Sequence, residues 1–184
     1  MTQLDGERSP DADLVELARQ GDEFAWEDLV RKHQEAVFRL AYLLIGDPDD
    51  AADISQETFI RASRALRNFD LQRPLRPWLM RIATNLTRNR WRFLSRYRGA
   101  LQRLGLSSKP AQSTLSRLDD RFGEYESLWK AVDKLSPKDR EVIYLRFFLD
   151  MSIGESAEAL NLAEGTIKSR THRALRRLRE AIDD

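Results

Sequence analysis

Apolar residues recur along this chain at steps of three and four, which is the period of an amphipathic helix. The longest stripes predict helices at about residues 24–45, 49–67 and 75–94, and shorter ones follow in the C-terminal third. No segment shows the strict alternation of apolar and polar residues that is typical of a half-buried strand. The pattern therefore predicts an all-α fold.

Several predicted helix ends are marked by residues with particular backbone preferences. In GDPDD, Gly46 suits the end of one helix and Pro48 the start of the next. In SPKDRE, Ser136 is expected to cap a helix whose first position is taken by Pro137. These signals divide the apolar stripes into separate helices.

The apolar stripe fades between residues 99 and 123, where LGLSSKPAQST contributes Gly, Ser and Pro. The helical period returns near Glu124. We therefore predict two helical domains, residues 1–98 and residues 124–184, which are joined by a flexible linker at residues 99–123.

The C-terminal domain ends in two helical segments, SIGESAEAL and GTIKSRTHRALRRL, which the short break NLAE separates. Such a pair with a basic second helix is typical of a helix-turn-helix. One face of the second helix is predicted to be buried through Ile167, Thr171, Ala174, Leu175, Leu178 and Ile182. The other face is predicted to meet the DNA major groove through Thr166, Lys168, Ser169, Arg170, His172 and Arg173. The alternative is a helical hairpin with a solvated basic surface.

The net charge of +1 hides an uneven distribution. Residues 1–60 carry a net charge of −10, and residues 61–184 carry +11. The stretch 61–98 holds eleven Arg residues and one acid, Asp70. A basic part suits phosphates, whereas an acidic part would be repelled by them, so the chain is expected to have two kinds of partner.

Two segments of the first domain fit those two kinds of partner. In TRNRWRFLSRYR, Arg residues are interleaved with Trp91, Phe93 and Tyr97, a pattern that suits single-stranded nucleic acid. The alternative is that the rings are core and the Arg residues are solvated. In DISQETF, the polar residues Asp53, Gln56 and Glu57 are expected to lie close together, and no nucleophile or metal-ligand His is near them in the sequence. A protein-docking face therefore explains this segment with fewer assumptions than catalysis does.

Composition excludes several classes of function. The chain has no Cys and two His, which rules out a disulfide scaffold and a Cys/His zinc site. It has no Gly-rich phosphate loop and no nucleophile constellation, so we expect no enzyme, no metal and no cofactor. Without a long apolar run or a signal peptide, a cytoplasmic protein with no membrane insertion is expected.

Four stretches, in order, resemble bacterial RNA polymerase sigma factors of the extracytoplasmic-function (ECF) subfamily. They are DADLVELARQGDEFAWEDLVRKHQEAVFRLA, DAADISQETFIRASRAL, RPWLMRIATNLTRNRWR and LSPKDREVIYLRFFLDMSIGESAEALNLAEGTIKSRTHRALRRLREAI. The resemblance implies binding to core RNA polymerase, recognition of −35 and −10 promoter elements, DNA opening, and a linker that threads through polymerase. A controlling anti-sigma factor is a further partner that the subfamily commonly has.

The resemblance also assigns residues. The polymerase clamp helices would contact Asp53, Gln56, Glu57 and Phe59. The −10 element, with one flipped base, would be bound by Asn85, Arg88, Arg90, Trp91 and Arg92. The −35 element would be read by Thr166, Lys168, Ser169, Arg170, His172 and Arg173.

The chain departs from the subfamily pattern in the first helix of the helix-turn-helix. Gly154 and Ser156 stand where an acidic and an apolar residue are usual, and Asn161 replaces a common Gly. Two other functions stay open from the residues alone. One is a helix-turn-helix regulator that acts without replacing a sigma factor, and the other is a helical RNA-binding or protein-interaction module.

Overall fold

A computed structural model describes residues 9–103 and 126–183 of the chain. This part is helical and contains no strand, so the predicted all-α fold is confirmed for it. The helices are α1 (Ala12–Arg19), α2 (Glu23–Ile45), α3 (Pro48–Ala65), α4 (Leu75–Arg103), α5 (Glu126–Asp133), α6 (Pro137–Ile143), α7 (Ile153–Leu160) and α8 (Glu164–Asp183). A 3₁₀ turn, Leu66–Asn68, follows α3, and a π-helical segment, Tyr144–Phe148, extends α6.

Local hydrogen bonds set the predicted helix ends. Gly46 closes α2 in the left-handed conformation, with φ of 84°. Ser136 caps α6 by accepting a hydrogen bond from the backbone N–H of Asp139. Asn161 closes α7 at φ of 53°, which an Asn side chain tolerates better than most. The turn between α7 and α8 therefore forms without the usual Gly.

The departures in α7 do not prevent that helix from forming. Ser152 and Glu155 make a reciprocal capping box, which satisfies backbone donors at its start. Ser156 is fully buried, and its hydroxyl finds no hydrogen-bond partner in the part of the chain that the structure describes. A Cβ atom at Gly154 would make ordinary contact with Glu164 Oε1 at 3.5 Å.

In the first group of helices, α1, α3 and α4 pack around α2, whose buried stripe includes Leu29, Val37 and Leu40. Helices α3 and α4 cover it, and α1 closes one side. In the second group, α5, α6 and α7 surround the buried face of α8. The two groups are in contact, because α4 packs against α7 and their apolar residues join in one continuous cluster. The structure thus places the two predicted domains side by side.

Polar links also cross from the first group of helices to the second. Arg76 donates a hydrogen bond to the backbone oxygen of Leu149 at 2.6 Å. Arg73 forms an ion pair with Glu158, whose side chain is largely buried, at 2.9 Å. Because both Arg residues lie at or just before the start of α4, they fix this end of the helix to the second group.

Two predictions about helix boundaries and burial were inaccurate. Helix α4 does not end near residue 94 or 98 but continues to Arg103, so the first residues of the predicted linker are helical. The remainder of that linker, residues 104–123, lies outside the described residues. Leu175 and Ile182 were expected in the core of α8, yet they are 43% and 45% exposed. Ile167, Ala174 and Leu178 of the same predicted stripe are buried, because α5, α6 and α7 approach α8 from that side.

A buried acid holds the start of the described chain against α2. Asp11 Oδ2 lies 3.0 Å from His33 Nε2, and Lys32 donates to the other carboxylate oxygen. Burial acts to raise the pKa of the Asp11 carboxyl, but hydrogen bonds and charge from His33 and Lys32 outweigh it and hold the pKa below 3.8. The ionised carboxylate therefore stabilises the fold.

We expect Asp11→Asn to lower the free energy of unfolding at pH 7 by about 1 to 3 kcal/mol, since buried charged hydrogen bonds are lost. The stabilisation by Asp11 is fully present above its unfolded pKa and is lost as pH falls through its lower folded pKa. The gap between variant and wild type should thus narrow below pH 3.8 in urea unfolding measured across pH. Asp28→Asn, which affects an exposed pair, should change stability by less than about 0.5 kcal/mol. A gap that widens in acid would contradict the assignment.

We expect Gly154→Ala to raise the free energy of unfolding by about 0.5 to 1 kcal/mol, because Ala restricts the unfolded chain and its methyl group fits. Gly46→Ala is the matched control, and it should destabilise by about 1 kcal/mol since its left-handed backbone disfavours a side chain. Chemical denaturation of both variants checks the pair. Destabilisation by Gly154→Ala would mean that α7 needs flexibility at that residue.

Candidate nucleic-acid interface

Helix α3 divides the residues that the resemblance assigned to polymerase between two sides. Gln56 and Phe59 face a groove between α2 and α3, whereas Asp53 and Glu57 face a smaller cleft toward α4. The adjacent residues Gln56 and Glu57 point about 100° apart around the helix, so they face different sides. The structure therefore brings together only part of this predicted set on each surface.

The groove between α2 and α3 has a volume of about 790 Å³. Its apolar surface is formed mainly by Trp26, Val30, Phe38, Phe59 and Ile60, and Gln34, Glu35, Gln56 and Arg64 are among its polar lining. Phe59 is only 8% exposed and packs edge-on against Trp26, with ring centroids 6.3 Å apart. Phe59 thus serves as a wall of the groove more than as a protruding contact.

The cleft between α3 and α4 is acidic on one wall. Asp50 forms an ion pair with Arg90, and this hydrogen-bonded partner raises the pKa of the Arg90 guanidinium. Glu57 pairs with Arg61 along α3 at 2.7 Å. The resemblance placed Arg90 on the −10 element. In the structure, Arg90 points toward α3 and Asp53 and does not lie alongside the other residues of that predicted set.

Arg88, Arg92 and Arg96 lie on a different face of α4. Asn85, Arg88, Asn89, Arg92 and Arg96 follow one another at helical steps and make a polar stripe. Trp91 borders one side of the stripe and Phe93 the other, about 160° apart around an ideal helix. Trp91 is 46% exposed, and Phe93 stacks with Tyr97 at 6.5 Å between ring centroids. The aromatic residues thus flank the cations and are not core.

Arg88 is held by an acid from the second group of helices. Its Nε and Nη2 atoms each lie 2.6 Å from a carboxylate oxygen of Glu141 on α6. This bidentate pair raises the pKa of Arg88, and the Glu141 side chain is only 6% exposed. Sequence reasoning missed Glu141, since nothing local in SPKDRE signals a partner that lies 53 residues away.

The predicted helix-turn-helix is present as α7, a turn at residues 161–163, and α8. Ile167 is fully buried and fixes the start of α8 against the core. Of the predicted −35 residues, Lys168, Ser169, His172 and Arg173 are exposed, and Thr166 and Arg170 are half-buried. Lys168 makes a loose ion pair with Glu164 at 3.8 Å. The structure thus presents most of this predicted set on one end of an accessible helix.

Arg170 lies apart from its exposed neighbours. It lines a cavity between the two groups of helices together with Arg88, Trp91 and Arg92 of α4. Residues that were predicted to bind two separate promoter elements therefore meet at one place. In this arrangement, part of the predicted −10 surface on α4 faces part of the predicted −35 surface on α8.

Neither metal binding nor membrane crossing finds support in the described residues. Within residues 9–103 and 126–183, His, Asp and Glu side chains form no group of three that could hold a metal ion. Over the same ranges, every helix is too short or too polar to cross a membrane.

Comparisons with known proteins match both groups of helices. Sigma-70 region 2 matches residues 29–97, and Sigma-70, region 4 matches residues 125–178. The ECF RNA polymerase sigma factor SigW of Bacillus subtilis (strain 168) is 33% identical over 180 residues. That alignment covers 92% of this chain and 95% of SigW.

Two solved structures are similar across most of the chain. CnrH, in complex with the cytosolic domain of CnrY, has a TM-score of 0.71 at 28% identity and covers 94% of this chain and 97% of its own. The sigma factor RpoE of Bartonella quintana, in complex with the anti-sigma factor NepR, has a TM-score of 0.59 at 27% identity. It covers 85% of this chain and 96% of its own.

We expect the Arg88–Glu141 pair to show a coupling energy of about 1 to 2 kcal/mol in a double-mutant cycle, since its carboxylate is buried and bidentate. The cycle uses Arg88→Ala, Glu141→Gln and the double variant, with urea unfolding as the measurement. The exposed Arg31–Asp28 pair is the control, with an expected coupling below about 0.5 kcal/mol. Equal coupling for both pairs would show that the two groups of helices do not stay together in solution.

Proposed function

We propose, since the chain belongs to the ECF family of RNA polymerase sigma factors, that its surfaces divide between polymerase and promoter DNA. The protein is a sigma factor: it binds core RNA polymerase, directs it to promoters and assists DNA opening. It acts without catalysing a reaction, and it works in the cytoplasm, where polymerase and DNA are found.

The groove between α2 and α3 is our proposed polymerase-binding surface. It combines an apolar surface with Gln56 and Gln34 at hydrogen-bonding positions, a combination that suits an amphipathic helix of a partner. In sigma factors the corresponding partner is the pair of clamp helices. Phe59 would shape the groove, and Asp53 and Glu57 would add acidic contacts from the neighbouring face of α3.

The polar stripe of α4 is our proposed −10 surface. Arg88, Arg92 and Asn85 would follow the backbone of the opened strand, and Trp91 offers a half-exposed ring on which a flipped base stacks. Arg90, which is tied to Asp50, would contribute by holding α4 against α3. The stripe would therefore bind phosphates on one face and bases at its edge.

The start of α8 is our proposed −35 surface. Thr166, Lys168 and Ser169 lie in its first turns, and Arg170, His172 and Arg173 follow. Helix starts enter the major groove in helix-turn-helix proteins, where Arg reads a guanine edge and Lys or Ser contacts phosphate. The observation that carries the proposal is this geometry: Ile167 anchors the helix, and the polar residues around it stay accessible.

The weaker hypothesis is a helix-turn-helix regulator that acts without replacing a sigma factor. Such a protein would use α8 but would leave the groove at Gln56 without a purpose. The matches to both sigma regions also favour the sigma factor.

An anti-sigma factor is a further proposed partner. CnrH and RpoE were each solved with a partner protein, and for RpoE that partner, NepR, is named an anti-sigma factor. We extend this kind of partner to the present chain because its fold is similar over most of both proteins. The surfaces proposed for polymerase and DNA are those that such a partner would need to cover.

We expect Gln56→Ala combined with Glu57→Ala to weaken binding to core RNA polymerase about tenfold, because contacts on both sides of α3 are removed. Fluorescence anisotropy with purified core polymerase measures the affinity. The matched control is Gln20→Ala with Glu16→Ala, a hydrogen-bonded pair at the C-terminal end of α1 that lines neither the groove nor the cleft. Unchanged affinity in the first variant, with its helical content intact, would place the polymerase contact elsewhere.

We expect run-off transcription from a pool of promoter fragments only when this protein is added to core polymerase. Arg170→Ala and Arg173→Ala should each reduce the yield from −35-dependent templates about tenfold, as for the loss of one base-reading Arg. Arg176→Ala is the control, because that residue lies further along α8 in an ion pair with Glu180. Absence of transcripts from a folded protein with its own polymerase would overturn the sigma function itself.

A further inference from the structure

The cavity between the two groups of helices has a volume of about 450 Å³, within the roughly 300 to 1,000 Å³ typical of small-molecule sites. Three leucines from different segments, Leu44, Leu160 and Leu162, form an apolar part of its lining. The half-exposed ring of Trp91 also lines it. A flat aromatic group would find apolar surface and an indole face in the same space.

The cationic lining of this cavity is only partly neutralised. Arg88 is paired with Glu141, and Arg140 lies 3.7 Å from Asp133. The other three cations, Arg92, Lys138 and Arg170, have no ion pair with a carboxylate in the part of the chain that the structure describes. Since Glu141 is already bound by Arg88, the cavity carries a surplus of positive charge.

We propose that this cavity binds a nucleoside diphosphate or a closely similar nucleotide. The base would stack on Trp91 against the leucines, and the phosphates would be held by Arg92, Lys138 and Arg170. Stacking on an aromatic ring and multiple cations for phosphate are the two features by which proteins recognise nucleotides. A fatty acid would use the leucines but would leave the indole face and most of the positive charge without a partner.

Binding at this cavity would hold the two groups of helices together. The lining comes from α2 and α4 on one side and from α6, α7 and α8 on the other, so separation of the groups would divide the site. A ligand that binds only the closed arrangement stabilises it by mass action. This regulatory consequence rests on the proposed function, because Trp91, Arg92 and Arg170 are also proposed DNA contacts. Nucleotide and promoter would then compete for the same side chains.

The test is isothermal titration calorimetry of the full chain with ADP, adenosine and pyrophosphate, without polymerase or DNA. ADP should bind, and adenosine and pyrophosphate should each bind at least about tenfold more weakly, because each supplies half of the recognised group. Arg92→Ala and Lys138→Ala should each weaken ADP binding about tenfold. Arg67→Ala and Lys134→Ala are matched controls of the same residue types that lie outside the lining, and they should bind ADP as the wild type does.

Three further variants test the geometry. Trp91→Ala should weaken the binding of ADP but not that of pyrophosphate, and Trp91→Phe should restore most of the ADP affinity. Arg73→Ala with Arg76→Ala removes two links between the two groups of helices and changes no residue of the cavity lining. It should still weaken the binding of ADP.

Three results would overturn the proposal. They are no ADP binding by a folded protein, equal affinity for ADP and pyrophosphate, or weakening by the control variants as large as that by the lining variants. The last two would show phosphate adsorbed to a basic surface. Since transcription is measured separately, failure here leaves the sigma function untouched, and failure of transcription leaves the binding result standing.

Discussion

Helix α4 is the constraint on which the rest of the structure depends. Its first half contributes Leu75, Leu79 and Ala83 to the buried apolar cluster, and the helix packs against α7 of the second group. Its second half extends to Arg103 and carries the exposed stripe of Arg and aromatic residues. One continuous helix therefore connects core packing, contact between the groups and the proposed −10 surface. A change in how α4 meets α7 would alter all three.

The electrostatics at α4 follow from the same constraint. The Nε and Nη2 atoms of Arg88 bind Glu141, so a phosphate that used the same edge of the guanidinium would have to displace that carboxylate. Burial of Glu141 makes a partner necessary, since an unpaired buried carboxylate is costly. The closed arrangement satisfies that carboxylate, and under the proposed −10 assignment a phosphate bound at the same edge would take Arg88 away from it. Under that assignment, the two groups of helices would open as the protein binds promoter DNA.

Local features were predictable from the sequence, and distant pairings were not. The caps at Gly46, Ser136 and Asn161 depend on a few neighbouring residues, and the all-α pattern depends on periodicity. The side of α8 that is buried depends on which helices approach it, so Leu175 was placed wrongly. Glu141 had no local signal at all. The proposed groove at Gln56 likewise arises only when α2 and α3 are packed together.

The most direct test of this account measures the distance between the two groups of helices. The chain has no Cys, so Gln20→Cys and Glu180→Cys, which lie outside the proposed surfaces, allow specific spin or dye labelling. Pulsed electron–electron double resonance should give one short distance between the two labels in the free protein and a longer one with core polymerase and promoter DNA. A long distance in the free protein, or an unchanged short one in the transcribing complex, would contradict the account.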